Sequence, residues 1–235
     1  MNTPLIEFRD VYRSYGQGET EFYAVENINF TINRGEFVVI LGQSGAGKST
    51  VLNMLGGIDQ PTKGSLIIDG DDISGYNEDQ MEDYRGRKIG FIFQFYNLLT
   101  GLSAYENVAI ANEIVHLPFN ADEMLQAVGL SKKKGKFPAQ LSGGEQQRVS
   151  IARALAKDPE IILGDELTGA LDANTGKDVL KLVINICKEN NKTLIIVTHN
   201  AAIAECADKV IHMRNAKIKE IKINENPLPV ERLDL

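Results

Sequence analysis

Cysteine is scarce in this chain. There are two, Cys187 and Cys206, in stretches that read as helical and without CxxC spacing, which argues against a disulfide framework or a thiolate metal site and for buried or incidental thiols. Histidine is almost as rare, and His116, His199 and His212 are too scattered to suggest a zinc cluster. No apolar run approaches the roughly 20 residues of a membrane helix, and the amino terminus lacks a secretion signal. The expectation is a soluble, intracellular protein. Basic excess is missing too: the net charge is −7, which argues against broad nucleic-acid binding. The run Lys132-Lys133-Lys134-Gly135-Lys136 is the exception and reads as a solvated connection. Neither an internal repeat nor a low-complexity segment is visible. What remains is 235 residues with 43% hydrophobic and 24% charged content, enough to bury a core as one compact domain with lobes.

The segment from Gly42 to Thr50 reads Gly42-Gln43-Ser44-Gly45-Ala46-Gly47-Lys48-Ser49-Thr50 and fits GxxxxGK[ST]. It follows Phe37 to Leu41, a short apolar run that suits a strand buried on both faces, and precedes Val51, Leu52, Met54 and Leu55, which suit a helix. Glycines let the backbone turn its amides around phosphate oxygens, and the helix start adds partial positive charge. Lys48 would reach the β- and γ-phosphates of a nucleotide, with the Ser49 hydroxyl on Mg²⁺. A glycine-rich turn that binds nothing would not need that lysine, hydroxyl and flanking pattern together.

A second apolar run, Ile161 to Asp165, is followed by Glu166 and has the form of a Walker B strand. At its carboxyl end Asp165 can contact the magnesium shell. Glu166 is placed to orient or deprotonate an attacking water. Adjacent acids after a strand also occur in ordinary surface turns, and the phosphate loop is what favours the catalytic reading.

Leu141-Ser142-Gly143-Gly144-Glu145-Gln146-Gln147-Arg148 adds a third element. Ser142 and Glu145 have the spacing of a capping box, so the glycines sit at a helix start that Val149 to Lys157 continues and Asp158-Pro159 stops. By itself this is equally a well-capped surface helix with no ligand.

Here the chain resembles the ATP-binding cassette family over almost its whole length, and LSGGEQQR matches the family's signature. The resemblance supplies further roles. Tyr15, in RSYG, is the aromatic expected to stack on adenine. Gln94, in FIFQFYNLL, resembles the glutamine that touches the metal and the attacking water and reports their presence to the helical subdomain. Asp172, in GALD, resembles the D-loop aspartate, and His199, in IIVTHN, the histidine that contacts the γ-phosphate. The resemblance also implies two copies packed head to tail, with Ser142, Gly143 and Gly144 of one closing over ATP held by Lys48 of the other. ATP then favours the closed state by its extra contacts there, and hydrolysis releases the halves.

The implied fold is α/β, a P-loop NTPase with a RecA-like core and mixed sheet, an antiparallel β subdomain and an inserted α-helical subdomain. Leu5 to Val11, Ile28 to Ile32 and Ser65 to Asp69 suggest strands flanking the phosphate loop. Together with Phe37 to Leu41, Gly90 to Phe93, Ile161 to Asp165 and Thr193 to Val197 they predict a mixed sheet with parallel apolar central strands. Residues 1–94 and 158–223 form the predicted core, 95–157 the helical insertion and 224–235 an extended tail. Ser103 with Glu106 is another capping-box candidate, and Lys209 to Met213 with Ile218 to Ile223 a hairpin.

The strings GGIDQPTKG, FQFYNLL, LSGGEQQR and TGALD resemble cassettes of the MacB and lipoprotein-releasing transporters, whose separate permeases resemble FtsX. That resemblance implies a bacterial ATPase on the inner face of the membrane, a homodimer beneath an integral-membrane permease, with peptides, lipoproteins or antimicrobial compounds as cargo and no nucleic-acid partner. A regulatory cassette resembling FtsE, controlling a membrane complex, uses the same residues and stays open. A soluble cassette acting on DNA or ribosomes usually needs two cassettes, a long coiled coil or zinc modules, none of which is visible. Leu98, Leu99 and Leu102 either form a groove for a permease helix or pack inside the helical lobe. Leu167 stands where the family usually has proline, which predicts a freer Glu166 backbone and slower or less tightly coupled hydrolysis. Gly164 replaces a more usual small or apolar residue, and Asn200 stands where an acid often follows the histidine.

Overall fold

The computed structural model describes residues 3–115 and 120–234. In chain order, β1 (Ile6–Tyr15) and β2 (Phe22–Ile32) precede β3 (Phe37–Leu41), which runs into α1 (Lys48–Leu55). Next come β4 (Lys63–Ile68), β5 (Asp71–Asp72), α2 (Glu78–Lys88) and β6 (Ile89–Ile92). Helices α3 (Ala104–Val115), α4 (Ala121–Ala127) and α5 (Gly143–Leu155) separate β6 from β7 (Ile161–Asp165). The chain ends with α6 (Ala173–Glu189), β8 (Thr193–Thr198), α7 (Ala201–Ala204), β9 (Lys209–Arg214) and β10 (Lys217–Ile223).

Six strands form the central sheet in the order β10-β9-β3-β8-β7-β6. From β9 to β6 neighbouring strands are parallel, and β10 closes the edge antiparallel to β9. Successive side chains of a strand point to opposite faces, and here both faces are covered. Phe37, Val39, Ile162, Leu194 and Ile196 join one buried cluster with α3, α5 and α6. Val38, Ile40, Ile161, Leu163, Ile195 and Val197 join another with α1 and the first strands. This is why those strands read as unbroken apolar runs.

The flanking strands do not join that mixed sheet. β2, β1, β4 and β5 form a second, antiparallel sheet of four. The cause is legible in burial: β2 alternates buried and exposed residues along its second half, as a strand with one wet face does, whereas all of β8 is buried. The predicted hairpin at β9 and β10 forms, turning on Asn215 and Ala216 at φ 49° and 64°, as the favoured two-residue turn requires.

Both capping boxes are present. The Ser142 hydroxyl accepts from the Glu145 amide at 3.3 Å while the Glu145 carboxylate accepts from the Ser142 amide at 2.9 Å. Ser103 and Glu106 repeat this at 3.3 and 2.8 Å. Of the three leucines, Leu98 packs against the core beside α3 and α5, Leu102 is half-buried, and Leu99 is 49% exposed.

The segment after residue 224 is not simply extended. A 3₁₀ turn at Val230–Arg232 buries Val230 and Leu233 against the α6 side of the core, and Lys181 pairs with Glu231 at 2.5 Å. The local sequence hid this because its two apolar anchors are separated by charged residues. Cys187 and Cys206 are buried and unpaired, and burial pushes their thiols up to about 12 and about 11, too high for reactivity. Among the described residues no helix is long and apolar enough to cross a membrane.

Burial also lowers the Lys157 ammonium to about 8, where its Nζ donates to the Arg85 carbonyl at 2.8 Å. The folded state therefore holds fewer protons than the unfolded chain between pH 8 and 10.5, so stability is lost as pH falls through that window and is constant below it. Lys157→Met should remove this slope. Unfolding midpoints of the two proteins, measured from pH 7 to 10.5, should converge as pH rises; parallel curves would contradict the assignment.

Candidate functional site

Four loops meet at the carboxyl ends of parallel strands β3, β6, β7 and β8, the edge where open α/β sheets bind ligands. They enclose a cavity of about 1060 Å³ lined by Tyr15, Gln43, Ser44, Gly45, Gly47, Lys48, Ser49, Thr50, Gln94, Asp165, Glu166 and His199. Residues far apart in sequence are thus brought together. Ser142, Gly143, Gly144 and Asp172 do not line it.

The loop between β3 and α1 is shaped by its glycines. Gly45 and Gly47 lie at φ 77° and 98°, and a Cβ on Gly47 would stand 2.4 Å from the Ala24 carbonyl oxygen. Gly42 is equally tight, since a Cβ there would lie 2.5 Å from the Met213 carbonyl oxygen, while Ala46 is buried beneath the loop. Lys48 is 8% exposed, and its ammonium donates to the Gln43 carbonyl at 3.1 Å. Asp165, at the end of β7, has its carboxyl raised by burial and by the Glu166 charge, partly offset by Lys48.

Glu166 is held by β8 and by the first residue beyond that strand. Its amide donates to the Val197 carbonyl at 3.0 Å, and its backbone lies at φ 45°, a conformation uncommon for a residue with a side chain and enriched at functional sites. One carboxylate oxygen accepts from the Thr198 hydroxyl at 2.9 Å. The other accepts from the His199 amide at 3.1 Å and lies 2.7 Å from His199 Nδ1, which requires the proton on Nδ1. His199 thus orients the carboxylate from the wall of the cavity.

The two departures at this strand form one unit. A Cβ on Gly164 would meet Leu167 Cγ at 2.8 Å, and Leu167 is 1% exposed. Leucine occupies the space that glycine leaves. Replacing Leu167 by proline therefore removes packing as well as altering the Glu166 backbone. Leu167→Ala should cost about 2–5 kcal/mol of stability, read as a lower denaturant midpoint; an unchanged midpoint would show that the pocket collapses without cost.

Tyr15 has one flank occupied. Arg13 lies 4.5 Å over its ring, its hydroxyl bonds to Asp59, and Arg13 pairs with Asp59 at 2.7 Å. Phe22, tilted against Tyr15 at 5.8 Å, lines the same cavity with Tyr23 and Ala24. Sequence reading missed these three and Thr198; the aromatic pair opening β2 was the available signal for the first two. Asp172 is the N-cap of α6, accepting from the Thr175 amide at 3.1 Å, and that bonding lowers its carboxyl.

The signature glycines have a packing reason within the chain. A Cβ on Gly144 would lie 2.3 Å from Thr175 Cγ2, and one on Gly143 2.8 Å from Tyr96 Oη. Among the described residues no group of three or more His, Cys, Asp or Glu is placed to hold a metal; His116 lies outside them. The Ser49 hydroxyl, Asp165 carboxylate and Gln94 amide are hard oxygen donors around one cavity. That set fits Mg²⁺, which keeps waters and phosphate oxygens as its remaining ligands.

Comparison with known proteins gives a uniform result. Residues 25–169 match the family described as ABC transporter. A macrolide export ATP-binding/permease protein MacB of Hyphomonas neptunium is 45% identical over 93% of this chain and 34% of its own length. An uncharacterized ABC transporter ATP-binding protein of Thermotoga maritima is 43% identical over 93% of this chain and 95% of its own. The chain spans 50% of a relative from Mycoplasma pneumoniae, so it is about half the length of some curated relatives and a third of others. Among solved structures, an ATP-binding cassette captured as a dimer in a post-hydrolysis state with ADP and Pi superposes with a TM-score of 0.86. It is 37% identical, over 94% of this chain and 99% of that one.

Proposed function

This chain belongs to the ABC transporter family, and from that premise we propose that it binds and hydrolyses ATP as the motor of a bacterial membrane transporter. Two copies close head to tail around two ATP molecules. The observation that carries this reading is the separation of the site: Lys48, Ser49, Asp165 and Glu166 share one cavity from which Ser142, Gly143 and Gly144 are absent. A signature helix start pointing elsewhere has a use if it completes the site of a second copy. The dimeric cassette that this chain resembles supports that arrangement.

Each residue then has a part. The loop amides from Gln43 to Thr50 and the Lys48 ammonium bind the phosphates. Ser49, Asp165 and Gln94 would hold Mg²⁺, which would supply positive charge to neutralise that of the phosphates. Glu166, oriented by Thr198 and His199, accepts the proton of the attacking water. Tyr15 offers its free face to adenine, and the partner copy's signature and Asp172 close the other side.

The coupled partner is an integral-membrane permease of the FtsX or MacB type, beneath which this chain sits on the inner face of the cell membrane, with amphipathic peptides, lipoproteins or antimicrobial compounds as cargo. The MacB relatives support that assignment. Phe95 is 73% exposed, Leu99 49%, Phe137 44% and Tyr105 39%, more exposed large apolar side chains than a solvated surface requires. Leu99→Ser should abolish co-purification of the permease while ATP affinity and unfolding temperature stay unchanged; retained co-purification would move the docking face elsewhere.

Ser142→Arg tests the dimer. The exposed charged bulk should spoil the composite site that this signature faces and abolish hydrolysis there, with nucleotide still bound at the Lys48 cavity. Loss of the cap costs about 1 kcal/mol, too little to unfold the chain. Wild-type turnover in this variant would remove the dimer reading.

A further inference from the structure

The loop that carries Gln94 contains a turn whose first left-handed residue, Tyr96, is of a type that does not favour it. Tyr96 and Asn97 lie at φ 61° and 47°, two consecutive residues with side chains in the left-handed region, and no glycine occurs from Phe93 to Thr100 to relieve them. Within the loop the turn is closed by the Asn97 amide on the Phe95 carbonyl at 2.6 Å and the Tyr96 amide on the Phe93 carbonyl at 3.2 Å. Such a turn persists where its surroundings over-determine it.

What holds it is α5, the helix that begins at the signature glycines. Arg153 donates from Nη1 to the Asn97 carbonyl at 2.6 Å and from Nη2 to the Tyr96 carbonyl at 2.9 Å, one guanidinium fork on the two carbonyls of the strained pair. Arg153 is half-buried and, among the described residues, forms no ion pair with a carboxylate. Burial lowers its guanidinium, so its position is not explained by surface charge pairing. The Tyr96 side chain runs the other way and ends over Gly143, where a Cβ would come within 2.8 Å of the hydroxyl. Ten residues of helix separate Gly143 from Arg153, roughly 15 Å. Tyr96 is therefore bonded to α5 through its carbonyl and lies with its ring against the start of the same helix.

We propose that Arg153 is a positioning residue for ATP hydrolysis: by clamping the Tyr96-Asn97 turn to the signature helix it makes Gln94 and Gly143 move as one body. The consequence rests on the dimer reading above. Gln94 belongs to the chain's own nucleotide cavity, whereas the Gly143 end of α5 addresses the nucleotide of the second copy. A shift of Gln94 on meeting its ligand is then transmitted to the neighbouring site through a guanidinium fork and an aromatic ring, with no flexible segment between them.

The test is steady-state kinetics of the purified chain. Arg153→Met should lower kcat about tenfold or more while KM for ATP stays within about twofold, because the phosphate loop is untouched and the misplacement falls on a remote positioning contact. Arg153→Lys, with one donor point in place of a fork, should fall between the two. Asn97→Gly relieves the left-handed strain, so adding it to Arg153→Met should recover at least about threefold in kcat while changing the parent chain little. Wild-type kcat in Arg153→Met would overturn the proposal. So would a parallel fall in kcat and unfolding temperature that Asn97→Gly does not reverse, which would assign Arg153 a purely structural role. The dimer reading is checked apart from this with Arg153 intact: if the Glu166→Gln chain shows no ATP-dependent dimer by size-exclusion chromatography, that reading fails, and the coupling between sites fails with it.

Discussion

Glu166→Gln is expected to lower ATP turnover by about 10²–10⁴-fold, the usual contribution of a general base, and to leave nucleotide binding intact. The local structure explains why the variant should still fold and bind. An amide oxygen in place of Oε1 continues to accept from the His199 amide and Nδ1. On the other side the Thr198 hydroxyl, now a donor to Oε2, can rotate to accept from the amide nitrogen instead. What disappears is the capacity to take a proton from water. ATP that cannot be hydrolysed should then hold two copies together, and the variant should elute as a dimer with ATP and Mg²⁺ and as a smaller species with ADP. Full steady-state hydrolysis in Glu166→Gln would overturn the catalytic assignment.

The second large effect falls on Lys48. Its ammonium is buried, yet its only hydrogen-bond partner among the described residues is the Gln43 carbonyl of its own loop. A buried cation with so little compensation is placed for an anion. Lys48→Ala removes a charge-assisted contact to phosphate worth about 1.5–3 kcal/mol, or about 10–150-fold in ATP affinity. It has a further consequence at Asp165. Lys48 is the group that partly offsets the effects of burial and of Glu166 on that carboxyl, so its loss should push Asp165 further up and weaken Mg²⁺ binding as well. Titration with a fluorescent ATP analogue, with and without Mg²⁺, reads both effects. Unchanged affinity would place the nucleotide elsewhere.

Where chemistry demanded particular residue types at fixed spacing, the sequence was explicit. The glycines, Lys48 and Ser49 marked the loop between β3 and α1 that lines the cavity, and β3 and β7 appear between the residues expected because a strand buried on both faces leaves an unbroken apolar run. The capping boxes at Ser103 and Ser142 were equally legible, since both partners lie within one turn. Contacts made at long range were not. Nothing local says that Thr198 holds Glu166 from 32 residues away, or that β1, β2 and β4 leave the central sheet to form their own. The departures Gly164 and Leu167 read as two oddities in sequence and as one filled space in three dimensions. Likewise the positive φ of Tyr96 belongs to a residue type that does not advertise it, because what holds it is an arginine more than fifty residues away on another helix.

The central claim is that one ATP is shared between two copies, and a mixing experiment addresses it. At an ATP concentration near the wild-type Kd, Lys48→Ala leaves its own site largely empty but keeps an intact signature; Ser142→Arg has a damaged signature but an intact phosphate loop. Each should be inactive alone. Mixed in equal amounts, about half of the dimers are mixed pairs with one undamaged composite site of two, so about a quarter of the wild-type rate should return. No recovery in a mixture shown to contain mixed dimers, or full activity in Ser142→Arg alone, would contradict it.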